Sequence, residues 1–432
     1  MKPADQRYKA YLNILKEELV PAMGCTEPIA IAYAAARARA ALGSEPQRVT
    51  IEASRNIIKN VKSVVVPNTG YLKGIEASAA AGIVAGNADK ALEVLSSIDD
   101  SGREKIRTFL CDKEIKVTES TSGLMFDLVV TVEVDDSRAS VQISHYHTNI
   151  VLITKNDEVL YNNQDCEEIE TLNLTDRSIM NVRDILEFAE SVDLAGVEGL
   201  LQQQIDYNMA IAEEGMKNNW GANIGSVLLE TWGDDVKVQA KAFAAAASDA
   251  RMSGCDLPVV IASGSGNQGL TASVPVIVYA KELESDKSTL LRALIVSNLV
   301  TIHQKTGIGR LSAYCGAVSA GCGAGAGIAW LHGGRFEEVA HTIVNALATI
   351  SGIICDGAKP SCAAKIAASV DAGILGFYMF EKGQQFYGGD GIVTKGVENT
   401  IRNIGRLGRD GMKETDKEII RIMLGEESFP NR

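Results

Sequence analysis

Four runs, EIKVTE (114–119), FDLVVTVEV (126–134), ASVQIS (139–144) and NIVLITK (149–155), alternate apolar and polar residues with a period of two. A period of two sends successive side chains to opposite faces, so these runs read as an antiparallel sheet with one face on a core and one in water. Two more β-branched runs, VTIEA (49–53) and VKSVVV (61–66), precede them and end at the turn PNTG (67–70). Before these, helical spacing holds over residues 6–20, and an alanine-rich helical run covers 29–42. Further helical patterns lie at 75–85 and 88–98.

Beyond about residue 175 the pattern changes. Helical periodicity covers 182–192, 196–216, 224–229, 236–251, 290–304, 311–331, 336–354 and a final stretch near 415–424. The expected architecture is α+β: a mixed N-terminal domain with an antiparallel sheet (1–180) and a larger, mainly helical C-terminal domain (181–432). A chain of 432 residues exceeds what a single core usually supports, in keeping with two domains.

Composition narrows the class of function. A net charge of −13 argues against nucleic acid or an anionic membrane as the main partner. The 40 glycines and the many alanines favour helices packed at close range, internally or across a homodimer interface. Residues 311–331 carry no charge and are long enough to span a bilayer, but their Gly, Ala, Ser and Cys content suits a tightly packed buried helix. The N-terminus, MKPADQRYKAYLNILKEEL, is charged and amphipathic and has no short apolar core. The eight cysteines of so long a chain therefore read as reduced thiols, and the expected compartment is the cytoplasm.

Three cysteines stand out: Cys315, then Cys355 and Cys362 in CDGAKPSC. Thiolates on small-residue backbone suit a soft metal, and three ligands leave a fourth position open for chemistry. Buried core thiols are the competing reading. Cys25, in VPAMGCTEP, sits in a turn at the start of a helix, where backbone N–H groups and the helix dipole are expected to lower a thiol pKa. It reads either as a nucleophile or general base, or as a buried thiol in a capping turn. The segment SGSGNQG (263–269) fits GxGxxG, but LTASVPV follows it, and Pro275 argues against a helix there. With no ribose-binding acid in place, an anion-binding loop with Asn267 and Gln268 as donors, or a plain turn, fits better than a dinucleotide site. HYHTN (145–149) would put two imidazoles on one face of a strand.

Taken together, PAMGCTEP, VPNTG with KGIEA, HTNIV, SGNQG, YCGAVSAG and CDGAKPSC resemble the L-cysteine desulfidase family, which is related to the iron–sulfur L-serine dehydratases. The resemblance extends over nearly the whole chain. It implies a [4Fe-4S] cluster held by Cys315, Cys355 and Cys362, with Cys322 as an alternative to Cys315, and Cys25 as the base in a β-elimination. It also implies that Thr26, Asn68, Thr69, Thr148, Asn149, Asn267 and Gln268 orient a small amino acid. The implied substrate is L-cysteine, with L-serine as the alternative. A pyridoxal-phosphate lyase would need a Schiff-base lysine that no motif supplies. A cluster-binding iron or redox sensor would need the three cysteines but neither Cys25 nor the substrate donors.

Overall fold

The computed structural model describes residues 1–156, 158–163, 174–309 and 311–424. Two hydrophobic cores organise them.

The first core lies beneath a six-stranded sheet. The strands among the described residues are β1 (Pro21–Met23), β2 (Arg48–Ala53), β3 (Glu114–Glu119), β4 (Asp127–Val134), β5 (Ser137–Ser144), β6 (Ile150–Lys155), β7 (Glu158–Asn162) and β8 (Pro258–Val260). Sheet order is β3-β2-β4-β5-β6-β7. The period-two reading holds in β4 and β5: Leu128, Val130 and Val132 face inward beside Ala139, Val141 and Ile143, while Thr131, Gln142 and Ser140 are only partly buried. Ile51 pairs with Val130, and Val130 with Val141, so the apolar rows coincide across strands. Against this face lies the helix Thr26–Leu42, buried on nearly every side and closed by Gly43 in the left-handed conformation.

Two sequence expectations need correction here. The sheet is mixed, because β3 runs parallel to β2. The run 61–66 forms no strand: Arg55–Val61 is helical, and only Val65 makes an isolated bridge, to Lys73.

The second core is helical and takes in the chain's first helix. Tyr11 of Gln6–Glu18 stacks on Phe188 of Val182–Ser191, and Leu15 and Leu19 are buried in the same cluster. The helices Gly316–Leu331 and Cys362–Glu381 cross at glycines. A Cβ on Gly373 would lie 2.2 Å from the Gly321 carbonyl oxygen, and one on Gly325 would lie 2.6 Å from that of Gly373. The small-residue composition thus lets backbones meet directly. The helix within 311–331 begins only at Gly316, and its interior is buried. Among the described residues one helix, Cys362–Glu381, is long and apolar enough to cross a membrane, and 56% of its apolar window is buried inside the protein.

Three helices of the second core escaped the periodicity reading. Cys362–Glu381 and Val397–Arg406 lie in stretches left unassigned, and Gly266–Glu282 carries Pro275 in its interior. An interior proline removes one backbone donor and costs roughly 3 kcal/mol. Here the helix is buried along most of its length, and tertiary packing overrides the local penalty.

Candidate functional site

Four helices begin at one cavity. Cys25 is the N-cap of Thr26–Leu42, Ser265 of Gly266–Glu282 and Cys315 of Gly316–Leu331, while Cys362 is the first residue of Cys362–Glu381. None of the four N-caps has a side-chain cap hydrogen bond, so backbone donors and the positive ends of four dipoles are left for whatever the cavity holds. The cavity has a volume of about 110 Å³, and its walls include Cys25, Cys315, Cys355 and Cys362.

Local pairing explains the convergence. Strands β1 and β8 pair antiparallel, Pro21 opposite Val260, which brings the Cys25 turn to the Ser263–Ser265 loop. Thr26 Oγ1 donates to the Gly264 carbonyl oxygen at 3.2 Å. Gly24 makes the turn with φ +60°, and a Cβ there would lie 2.1 Å from Pro67 Cγ, so VPNTG is the wall against which the Cys25 turn is set. On the other side Tyr314 bridges Ile354, with Cys355 N–H donating to Ala313 O at 2.6 Å and Cys315 N–H to Ile353 O at 3.1 Å. Lys365 clamps the loop by donating to Ile354 O and to Asp356.

Cys315 and Cys355 are hydrogen-bonded to each other through their side chains, and Cys362 Sγ donates to Gly357 O at 3.6 Å. The bond from Cys315, helped by the charges of Lys59 and Lys305, holds the Cys355 thiol well below the ordinary range, while the same bond and burial push Cys315 up. Lys59 is itself buried and paired with Asp416 at 2.6 Å. Cys322 is fully buried one helical segment further on, and the cavity wall does not include it. Cys111 is exposed and Cys255 buried, and neither is on the wall; Cys166 lies outside the described residues.

The expectation of a lowered Cys25 pKa is reversed. Burial pushes this thiol up, the Glu27 carboxylate adds to the rise, and Arg251 opposes it. Cys25 Sγ donates to Glu27 Oε2 at 3.5 Å, and Thr26 Oγ1 donates to the same oxygen at 3.1 Å. Burial alone would raise Glu27, but the His147 ring and an Asn60 Nδ2 hydrogen bond of 2.9 Å hold its carboxyl down at about 2. His147 Nε2 stands 3.8 Å from Glu27 Oε1, and its ring meets Phe126 edge-on. The two-imidazole strand was a wrong period reading: 145–149 is the β5–β6 connection, with His145 exposed at φ +67° and His147 turned inward.

Of the residues expected at the site, Cys25, Thr26, Asn267, Gln268, Cys315, Cys355 and Cys362 line the cavity. Asn68, Thr69, Thr148 and Asn149 do not. Asn68 Nδ2 donates to Leu95 O, Thr69 Oγ1 to Val66 O and Asn149 Nδ2 to Ser144 O, while Thr148 is exposed. Five wall residues had no reading of their own in the sequence: Glu27, Lys59, Asn60, Arg251 and Lys305. For Glu27 the signal was its place two residues after Cys25. Lys59 and Asn60 lie between two β-branched runs and on a helix that the sequence did not announce, and Arg251 and Lys305 come from stretches whose only signal was helical spacing.

Whether these residues suit an iron–sulfur group can be judged from the donor set. Three thiols, four helix N-termini and two buried lysines make a cavity suited to a soft metal carrying net negative charge. Among the described residues no three His, Cys, Asp or Glu side chains stand at the spacing of ligands that share one ion.

Residues 89–421 match the serine dehydratase alpha chain family, a segment that includes the three cavity cysteines of the C-terminal half but not Cys25. The chain is 61% identical to a UPF0597 protein of Desulfitobacterium hafniense over 99% of each chain. It is 50% identical to one from Lachnoclostridium phytofermentans, covering 96% of this chain and all of the relative. A third, from Treponema denticola, is 48% identical over 97% of this chain and 98% of its own. The protein belongs to the serine dehydratase alpha chain family, together with the UPF0597 proteins it resembles end to end.

Proposed function

We propose that the protein is a cytoplasmic lyase that eliminates sulfide from L-cysteine, leaving pyruvate and ammonia. The observation that carries this reading is the presence of Cys25, Cys315, Cys355 and Cys362 on the wall of one small cavity. Cys315, Cys355 and Cys362 would hold a [4Fe-4S] cluster, which supplies Lewis acidity at an iron without a cysteine ligand.

The chain's own residues account for the rest. β-Elimination requires removal of the Cα proton and departure of the β-substituent. Cys25 Sγ is the acceptor for that proton once its own has passed to Glu27 Oε2, to which it already donates. In the free cavity it is a neutral thiol donating to Glu27, so a cation beside it, such as the substrate ammonium, is needed to favour the thiolate. Glu27, held in place by Thr26, Asn60 and His147, fixes the direction of the Sγ–H. Asn267 and Gln268, at the start of Gly266–Glu282, present polar groups to the substrate backbone. The helix N-termini favour the negative charge that develops as the proton leaves. The aminoacrylate that forms needs no further catalysis to become pyruvate and ammonia.

The family's name favours L-serine as the second reading, with water in place of sulfide as the leaving group. Product analysis of anaerobically reconstituted protein decides between them. Equal amounts of sulfide and pyruvate from L-cysteine, with a higher kcat/KM than for L-serine, is the expected result. A preference for L-serine would replace the desulfidase reading with a dehydratase. Cluster binding without turnover of either amino acid would make the protein a sensor and overturn both.

A further inference from the structure

The cavity wall contains a buried cation with no anion to match it. Arg251, at the end of Val236–Met252, is 3% exposed. Its Nη1 donates to Asn267 Oδ1 at 3.1 Å, an uncharged acceptor, and its Nε is buried without a hydrogen-bond partner. Among the described residues no carboxylate forms an ion pair with it. Lys59, by contrast, has Asp416. A buried guanidinium without a counter-charge is strongly unfavourable in an empty site and becomes favourable once an anion arrives.

A second unsatisfied group lies nearby. Gln268 is 4% exposed, and its Oε1 is buried with no donor. Both side chains are held against glycine backbone. A Cβ on Gly266 would lie 2.3 Å from Arg251 Nε, and one on Gly316 would lie 2.6 Å from Gln268 Cδ. Gly266 opens its helix without a side-chain cap, so free backbone N–H groups flank the guanidinium. The cavity, at about 110 Å³, has room for several waters at roughly 10–15 Å³ each, or for one small molecule.

We propose that Arg251 is the anchor for the α-carboxylate of the substrate and Gln268 Oε1 the acceptor for its α-ammonium, so that the site selects small α-amino acids by their backbone charges. The assignment rests on the lyase reading for its choice of substrate, but it does not need turnover to be tested. A planar guanidinium matches a carboxylate in two-pronged geometry, which a lysine cannot reproduce. Arg251, Gln268 and Cys25 line the same cavity, so an amino acid held by its backbone charges occupies the space that the Cys25 thiol also faces.

The test is equilibrium binding to the anaerobically reconstituted protein, measured by calorimetry. The probes are L-alanine, which has both backbone charges and no leaving group, and ethylamine and propionate, each of which lacks one. Wild-type protein is expected to bind L-alanine and to lose about 30- to 100-fold with ethylamine, the loss expected for hydrogen bonds to a charged group. Arg251→Ala should weaken L-alanine by a similar factor and leave ethylamine unchanged, with only partial recovery in Arg251→Lys. Methylguanidinium added to Arg251→Ala should restore L-alanine binding, which separates a missing contact from a misfolded variant. Gln268→Glu should tighten L-alanine and leave propionate unimproved.

Wild-type affinity for L-alanine in Arg251→Ala, or an equal loss for L-alanine and ethylamine, would overturn the anchor. If L-alanine binding depends on Arg251 while L-cysteine is not turned over, the anchor stands and the desulfidase reading fails.

Discussion

At the residue scale, the site is built from buried ionisable groups whose protonation is decided by their neighbours. Cys25 is a neutral thiol against a carboxylate, and Glu27 is buried yet ionised because His147 and Asn60 hold it so. If Cys25 takes the Cα proton, Cys25→Ser should lower turnover by at least about 100-fold with iron content unchanged, since an alkoxide is far harder to form than a thiolate. Parallel iron and sulfide-release assays check this. Glu27 gives a pH signature of known sign. Its folded pKa of about 2 lies below the ordinary 4.5, so it stabilises the fold fully above 4.5 and loses that contribution as pH falls from 4.5 to 2. Glu27→Gln should therefore be less stable than wild type at pH 7, and thermal melts should converge as pH falls through that window. A constant gap would mean Glu27 is not the group at work.

At the element scale, the cavity exists because helices start there. Cys322 and Cys315 share one helical segment, but Cys322 lies within the buried helix and Cys315 at its N-cap. Cys322→Ala should keep its iron and lose about 1 kcal/mol of stability for the atom removed, whereas Cys315→Ala should lose iron. Iron analysis of the two variants separates them. The glycine crossing makes a further prediction. Gly373→Ala puts a methyl into the Gly321 carbonyl and should destabilise by about 1–3 kcal/mol despite alanine's better helix propensity, read as a lowered thermal midpoint.

The same scale shows what the sequence made legible. β4 and β5 were readable because alternation is a direct consequence of a half-buried sheet. Gly266–Glu282 was not, because Pro275 speaks locally against a helix that only its buried packing sustains. Cys25 and the three C-terminal cysteines were legible as a motif set. Their thiol chemistry was not, since the rise at Cys25 comes from burial and a neighbouring carboxylate that only the fold supplies. Arg251 and Lys305 sat on ordinary helical runs, with nothing local to mark them as cavity cations.

At the scale of the whole molecule, the cavity draws on both cores. Cys25, Lys59, Asn60 and His147 arrive from the sheet side, and Arg251, Gln268 and the three other cysteines from the helical side. The chain ties the two together early, since Gln6–Glu18 packs on Val182–Ser191 and β1 pairs with β8. A C-terminal fragment starting at residue 181 would expose the apolar seat of Tyr11, Leu15 and Leu19, each worth about 1.5–3 kcal/mol when buried, and should be aggregation-prone unless residues 1–23 are supplied.

The central claim is that one cavity joins metal-holding thiols to a base for L-cysteine elimination. Sulfide release measured against iron loading during anaerobic reconstitution tests it most directly. The account predicts no release from the iron-free protein and a rise in proportion to bound iron, abolished in Cys355→Ala. Full activity in the iron-free protein, or an iron-loaded protein that releases no sulfide from L-cysteine, would contradict it.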